Sequence, residues 1–472
     1  MSIQEPQKLA SNFPWRLTTV LYGLSFAPQL FSANKLYWDD WTILDPFTGN
    51  VPSDHYLGTG SAPWRALIES TIFNSSPIVF RLATFITFFA SGYFLFHILS
   101  RSKTLTHNQV VIATIIFLVV PVNSARIALI TNTYSTSYFL FFLGWFLLSF
   151  RNRVVLQLLG FVSFFLSYTT IGAVTFTVLP VLYFLIVGKP RSIVEVLVKC
   201  KVAVLLAALP VFYLAMRQLF WPPTSGYAEM YKPQSLGLIR GLLFVIVCSI
   251  PAVYGLRMKK KNQPESNYYI VSFGLFALAI AAFPYMVGGH LVDISDWLIG
   301  FIPNFSDWNS RHQLLLPFGL ALIIVGSLKI DSTKPLRWNS SPVLSVIVAC
   351  FVVLNVTFAQ EYFLDGKKQD SIMAAMADNA DLKNASSILI DDSAVRFNAR
   401  GRLIRSYEWE GMLQKVFGEN SRRVSYLQYV NCAEFQPDAI LHISAPNGRL
   451  ESTLRRHVDI NVSVEQISPC GN

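Results

Sequence analysis

Two adjacent carboxylates near the start of the chain could do acid–base or metal chemistry. Asp39 and Asp40 lie in the run Tyr37-Trp38-Asp39-Asp40-Trp41, so aromatic rings flank both acids. Adjacent carboxylates repel, and both stay ionised only beside a cation, a metal ion or good hydration. Such a pair can take a proton from a hydroxyl group or bind a divalent ion. The alternative is a solvated loop in which Trp38 and Trp41 anchor the chain at a membrane interface.

Five basic residues could bind an anionic substrate group. They are Arg126, Lys232, His290, Arg311 and His312. The guanidinium of arginine is a planar fork that matches the oxygens of a phosphate. Arg311 could instead anchor a helix end with its charge at the membrane surface, and the same two alternatives stay open for Arg126.

The elements that hold these residues follow from composition. Of 472 residues, 53% are hydrophobic and only 14% are charged, whereas soluble domains carry about 25% charged residues. This excludes a disordered chain, a coiled coil and a single soluble globule, and predicts a polytopic α-helical membrane protein. Eleven segments are apolar and long enough to cross a bilayer: 15–32, 77–99, 109–123, 134–150, 154–169, 171–187, 202–220, 237–256, 268–287, 313–329 and 342–359. Residues 154–187 could also form one tilted helix.

The distribution of charge predicts the orientation. The loops that contain Arg101, Arg151, Lys189 and Arg257 are much richer in Lys and Arg than the loops between them. The positive-inside rule therefore places the N-terminus in the cytoplasm and, after eleven spans, the C-terminus outside. On this topology the net charge of +10 belongs to cytoplasmic loops that face anionic lipid, and it gives no indication of nucleic-acid binding.

The composition changes near residue 359, which predicts a transmembrane domain at 1–358 and a small exported α/β domain at 359–472. Two helices and three strands are predicted in the second domain: Lys367–Leu382 and Tyr407–Phe417, then Ser387–Ile390, Val424–Tyr429 and Ala439–Ile443. Asp391 and Asp392 follow the first strand, where they could bind a ligand or cap the next helix. Cys432 and Cys470 lie in the exported part and could form a disulfide.

This ensemble resembles the integral-membrane glycosyltransferases of the GT-C type. The resemblance rests on the many spans, on the acids Asp39-Asp40 in the first exported loop and on the exported C-terminal domain. Two shorter segments are similar to bacterial enzymes that decorate O-antigen or other surface glycans. These segments are Arg311-His312 before Gln313-Leu314-Leu315-Leu316-Pro317, and Ser406-Tyr407-Glu408-Trp409-Glu410-Gly411-Met412.

The resemblance implies a multi-pass protein of the cell inner (plasma) membrane. Its donor would be a polyprenyl-phosphate-linked sugar, its acceptor a glycan or a lipid-linked molecule, and Asp39 or Asp40 the catalytic base or a metal ligand. Residues 123–133 contain no acid, whereas several GT-C families place a second acid in that loop. We therefore expect either no cofactor or a divalent cation, and a single displacement with inversion at the sugar.

Other functions stay open from the sequence. An O-antigen polymerase or ligase would rely on Arg311 and His312. A polysaccharide flippase or transporter should carry buried charges within its spans, where only Arg81 and Arg240 stand. A structural or receptor-like membrane protein would bind a partner through its tail.

Overall fold

The computed structural model describes most of the predicted spans and much of the tail. The described residues are 13–32, 34–43, 58, 60–72, 76–102, 104–150, 153–188, 192–224, 232–259, 267–288, 315–328, 342–418, 422–429, 435–446, 448–449 and 458–466. The candidate residues His290, Arg311 and His312 lie outside the described residues. The same is true of Cys432 and Cys470, so their predicted pairing stays a prediction.

Helices dominate the chain up to residue 384. They are α1 (Trp15–Phe26), α2 (Asp40–Ile43), α3 (Pro63–Ile72), α4 (Pro77–Ser102), α5 (His107–Val119), α6 (Asn132–Leu148), α7 (Val154–Ser167), α8 (Ile171–Phe176), α9 (Val178–Gly188), α10 (Ile193–Lys199), α11 (Lys201–Phe220), α12 (Ser235–Lys259), α13 (Asn267–Val287), α14 (Leu316–Ser327), α15 (Pro342–Ala377) and α16 (Ala380–Asn384). Short 3-10 helices include Ala27–Ser32, Ser124–Ile127 and Leu129–Thr131.

A helix lies in every one of the eleven apolar segments. Within the described part, six helices are long and apolar enough to cross a membrane. The architecture is therefore that of a mostly helical membrane protein with a small C-terminal sheet. The number of eleven spans and the cytoplasmic N-terminus stay predictions. The two helices predicted over 154–187 are separate, because α7 ends at Ser167 and α8 begins at Ile171.

The helix α5 lies inside the bundle, and α12 lies at its outside. All residues of α5 from Asn108 to Val119 are buried, whereas only 11% of the apolar stretch of α12 is buried inside the protein. Glycines bring α13 and α14 close together, because a Cβ at Gly274 would lie 2.8 Å from the carbonyl oxygen of Gly319. Such small-residue contacts are typical of helix packing in membranes.

The helix α15 joins the two predicted domains. Its 36 residues correspond to about 54 Å at 1.5 Å per residue, far more than the roughly 30 Å of a bilayer core. It passes through the predicted boundary at residue 359 without a break, and Asp365, Lys368 and Gln369 in its second half are buried. The span and the tail therefore share one helix.

The tail contains a four-stranded sheet in the order β2-β1-β3-β4. The strands are β1 (Ser387–Asp392), β2 (Arg423–Tyr426), β3 (Ala439–Ser444) and β4 (Asn461–Gln466), and the helix α17 is Ser406–Phe417. The strand β1 pairs in parallel with β2 and β3, and β4 pairs antiparallel with β3. The core beside this sheet also contains Leu36, Trp41 and Ala66. The first loop of the membrane domain therefore forms part of the tail's core.

Candidate functional site

The two adjacent acids have different environments. Asp40 is fully buried, and its carboxylate accepts three backbone N–H bonds, from Tyr37 (3.1 Å), Leu129 (2.8 Å) and Ile130 (3.2 Å). Burial raises the pKa of Asp40 to about 7, although the charge of Arg81 and the backbone hydrogen bonds oppose that shift. Asp40 therefore fastens the first loop to the turn before α6.

Asp39 is partly exposed and lies against the tail. Its Oδ1 accepts a hydrogen bond of 2.9 Å from the hydroxyl of Tyr407, in the first turn of α17. Burial, together with the negative charge of Asp39, raises the pKa of Tyr407 above its ordinary value. Tyr407 therefore keeps its proton and donates it to the bond. Of the two acids, Asp39 is the one that a substrate hydroxyl can reach.

The tryptophans beside these acids are packed inside the protein. Trp38 is 2% exposed and Trp41 is 4% exposed. The guanidinium carbon of Arg402 lies 5.0 Å from the centre of the Trp38 ring. The Trp41 ring touches α17 so closely that a Cβ at Gly411 would lie 2.7 Å from its Cε3. The interpretation of Trp38 and Trp41 as membrane-interface anchors is therefore wrong, because the tail covers both rings.

The backbone of the first loop is strained where it meets the tail. Trp38 has a φ of 51°, in the left-handed region that side chains other than glycine rarely adopt. Its N–H donates to Glu408 Oε2 at 3.0 Å. Strained residues persist where the surrounding contacts fix them, and they cluster at functional sites. Here the contact with Glu408 holds the residue directly before Asp39.

Buried ion pairs hold the tail on α15. Arg402 binds Asp365 (Nε to Oδ2, 2.9 Å) and Glu408 (Nη1 to Oε1, 2.6 Å). The charges of these two carboxylates raise the pKa of Arg402 despite the cost of its burial. Glu408 also accepts the Arg405 N–H at 2.8 Å. Every charge in this group therefore has an opposite charge or hydrogen-bond donors beside it.

Asp392 belongs to a second buried ion pair. Lys368 Nζ lies 2.6 Å from Asp392 Oδ2 and also donates to Ala394 O and Asn398 Oδ1. Asp392 Oδ1 in addition accepts the Ala394 N–H at 3.0 Å. Asp391 instead contacts His442, Oδ2 to Nδ1, at 2.8 Å. Neither acid caps the following 3-10 helix, Val395–Phe397, because its N-cap residue is Ala394 and no side chain bonds there; Asp392 instead stabilises the turn that precedes it.

A small cationic cavity lies on the membrane side of the first loop. About 10 Å³ of its space is open, roughly the room that one water molecule needs. It is lined by Tyr22, Phe26, Gln29, Leu30, Arg81, Thr84, Phe85 and Arg126. Arg81 donates Nε–H to the carbonyl oxygen of Ile127 at 3.0 Å and also bonds the carbonyl of Lys35. Arg81 therefore joins the first loop to the 3-10 helix that carries Arg126. Sequence reasoning did not assign it to the site, although a lone arginine in an apolar helix was the signal.

Arg126 is 3% exposed, and its guanidinium lies over aromatic rings. The guanidinium carbon is 3.7 Å from the centre of the Phe88 ring and 4.4 Å from that of Phe26. Its Nε and Nη1 have no hydrogen-bond partner in the part of the chain that the structure describes. Burial lowers the pKa of Arg126 to about 10, so it stays charged at neutral pH. A buried cation with unused donors fits an anionic group.

The structure brings only some of the predicted site residues together. Asp40, Arg81 and Arg126 meet around residues 124–131, and Asp39 lies in the same loop as Asp40 but faces Tyr407. Lys232 is exposed just before α12. Within the described residues, no group of three His, Cys, Asp or Glu side chains could hold a metal ion.

No protein-family model matches this chain, and no curated protein matches it either. Any functional assignment therefore depends on the residues and the geometry described above.

Proposed function

We propose that the protein is a membrane glycosyltransferase that transfers a sugar from a polyprenyl-phosphate donor to a surface glycan or lipid-linked acceptor outside the cytoplasm. The observation that most supports the proposal is the cationic cavity beside the acidic loop. Arg126 there has unused donors in a buried site, where charge-assisted hydrogen bonds to an anion are strong. In this proposal, the phosphate of the lipid-linked donor is the anion that these donors bind.

In the proposed reaction Asp39 is the general base. The acceptor hydroxyl gives its proton to the Asp39 carboxylate, and its oxygen forms a bond to the anomeric carbon of the sugar. The bond between that carbon and the phosphate oxygen breaks at the same time, and the polyprenyl phosphate leaves with the bonding electron pair. Arg126 stabilises the charge on the departing phosphate. One displacement without an enzyme nucleophile inverts the anomeric configuration.

Asp40 and Tyr407 act as positioning residues in this proposal. Asp40 is buried and holds the loop through backbone amides, so we expect no direct contact with the substrate. The hydroxyl of Tyr407 orients the Asp39 carboxylate. The reaction as proposed needs no cofactor, and a divalent cation at Asp39 is the alternative for the same acid.

Complementation of a deletion strain tests the proposal. The strain carries the wild-type chain, Asp39→Asn, Arg126→Gln or the control Asp378→Asn, an exposed acid directly after α15. Its surface glycans are measured by mass spectrometry. We expect Asp39→Asn and Arg126→Gln to lose the sugar modification at normal membrane levels of protein, and the control to keep it. Full modification in Asp39→Asn, or a product with the donor's anomeric configuration, contradicts the proposed mechanism.

The rival functions predict other outcomes in the same strain. For an O-antigen polymerase or ligase, Arg311→Gln should abolish function while Asp39→Asn retains it, and the length of the surface polysaccharide should change instead of its decoration. For a flippase or transporter, deletion should trap the lipid-linked sugar in the cytoplasmic leaflet. Of the two arginines predicted to stand within spans, Arg81 bonds two backbone carbonyls, as expected of a structural residue, and Arg240 is exposed on α12.

A further inference from the structure

A second and larger cavity lies at the opposite end of the helix bundle. About 70 Å³ of its space is open to water-sized groups, several times what one water molecule needs. It lies where α4 ends and α5 begins, with Ser102 in its wall. Arg81 of the cationic cavity is on the same helix, about 30 Å away at 1.5 Å per residue. The two cavities are therefore separate sites.

The walls of this second cavity are apolar, apart from a few groups at its end. Ile98, Trp145, Ile270, Phe318 and Leu322 line it, and none of these side chains is more than 8% exposed. The rim at α9 contains Ile186 and Val187, each 40% exposed. In a membrane protein, apolar side chains exposed on a helix face the lipid. The cavity therefore suits a hydrocarbon chain that enters from the bilayer.

A buried hydrogen-bond donor lies in the wall of this cavity. Trp145 is 2% exposed, and its indole Nε1 has no hydrogen-bond partner in the part of the chain that the structure describes. A buried indole N–H usually has an acceptor. An occupant that satisfies it must carry an oxygen acceptor as well as an apolar chain. The ester carbonyl of a glycerolipid combines the two.

The cavity also lies beside a cationic residue. Arg101 directly precedes Ser102 of the wall, and its guanidinium bonds Ser149 and lies 4.1 Å from the centre of the Phe150 ring. Ser149 follows α6 one turn after Trp145. The charge of Arg101 therefore lies at the end of α6 where Trp145 stands, which is the end of the bundle where the connecting loops are basic. An anionic head group complements this charge.

We propose that this cavity binds one acyl chain of an anionic glycerophospholipid, with an ester carbonyl on the Trp145 indole N–H and the phosphate at Arg101. The bound lipid fills the space between α4, α6, α9, α13 and α14 and acts as a structural part of the bundle. The site is independent of the proposed glycosyl transfer, because it uses none of the same residues.

Native mass spectrometry of the full chain tests this site, with the protein exchanged from detergent into vesicles of phosphatidylcholine and phosphatidylglycerol. We expect one phosphatidylglycerol to remain on the wild type after transfer to the gas phase. Trp145→Phe keeps the ring but removes the donor, and should weaken retention roughly three- to tenfold, as expected for one hydrogen bond. Leu322→Trp should abolish retention by filling the cavity. The control Leu205→Trp, on an exposed apolar position of α11, should retain the lipid like the wild type.

Two outcomes overturn the site. One is equal retention of phosphatidylglycerol by Trp145→Phe and the wild type. The other is retention of phosphatidylcholine as strong as that of phosphatidylglycerol, because the head-group contact with Arg101 would then be absent. If Leu322→Trp does not fold, retention of phosphatidylglycerol by Trp145→Phe and by Arg101→Gln, which removes the head-group contact, still decides whether the site exists. Glycan analysis of the same variants separates this site from the transferase proposal, since Trp145→Phe should keep the surface modification.

Discussion

The hydroxyl of Tyr407 donates a 2.9 Å hydrogen bond to Asp39 across 368 residues of sequence. The bond joins the first loop of the membrane domain to the first turn of α17 in the tail. Glu408, the next residue on that helix, accepts the backbone N–H of Trp38, the residue before Asp39. The tail therefore fixes both the backbone and the carboxylate at the proposed base.

Tyr407→Phe should lower transfer about tenfold while the protein stays folded. The ring stays in place, so the variant loses one hydrogen bond worth about 1 kcal/mol. If the bond orients the Asp39 carboxylate, we expect the rate of sugar transfer to fall roughly tenfold, which corresponds to about 1.4 kcal/mol in the activation barrier. Transfer in membranes and Tm are measured together. Wild-type transfer in Tyr407→Phe, with normal folding, would assign the bond a purely structural role.

The stability of the protein should depend on the protonation of Asp40. Its folded pKa of about 7 is above its ordinary value of 3.8, so the folded state binds the proton more tightly than the unfolded state. The contribution of Asp40 to stability is therefore greatest below pH 4, falls as pH rises toward 7 and levels off above that. Asp40→Asn should lose this part of the pH dependence of Tm between pH 4 and 7. The exposed control Asp378→Asn should keep it, and an unchanged slope in Asp40→Asn would disprove the assignment.

Gly411→Ala should destabilise the contact between the tail and the first loop. Alanine raises helix propensity by up to about 1 kcal/mol, but its Cβ would lie 2.7 Å from Trp41 Cε3 in a buried ring. Overpacking of this kind costs about 1–3 kcal/mol, so we expect a net loss of Tm. Gly23→Ala, inside α1, is the matched control, because it gains the same helix propensity and a Cβ there meets no atom within 4 Å. Equal Tm values for both variants would show that the Trp41 ring moves aside without loss of stability.

Arg402→Met should be the most destabilising of these substitutions. It leaves Asp365 and Glu408 buried without their cation, and breaking a buried pair in this way costs about 3–5 kcal/mol. Arg423→Gln, an exposed position on β2, should change stability by less than about 0.5 kcal/mol. Thermal unfolding in detergent measures both. A loss in Arg402→Met no larger than in the control would mean that the network adds nothing to stability.

The sequence predicts the helices and strands that depend on residues adjacent in the chain. Apolar length located the helices in all eleven segments, and the predicted strands Ser387–Ile390 and Ala439–Ile443 both lie within strands of the sheet. The strand β4 was missed, because Asn461–Gln466 is polar and mostly exposed at the edge of the sheet. Its pairing with β3 depends on tertiary contact rather than on an alternating apolar pattern.

The sequence pattern could not predict which site residues are buried or which residues they contact. Aromatic rings beside acids suggested the membrane interface for Trp38 and Trp41, yet both rings are buried. Arg402 lies over the ring of Trp38, and α17 packs against the ring of Trp41. The spacing of Asp39 and Asp40 gave no sign that one is buried and the other half-exposed, since that difference arises from Leu129, Ile130 and Tyr407. Contacts between residues so far apart in the sequence produce no local pattern of apolar and polar residues, so the sequence alone does not reveal them.

The unbroken helix α15 sets the direction in which the tail faces. An α-helix turns by about 100° for each residue and rises 1.5 Å, so one residue inserted near 359 would rotate the whole sheet by about 100° around the axis of α15. Tyr407 would then point away from Asp39, and the ion pairs of Lys368 and Arg402 would move with the tail. The length of α15 between its apolar half and the tail therefore determines the geometry of the site, just as the side chains determine its chemistry.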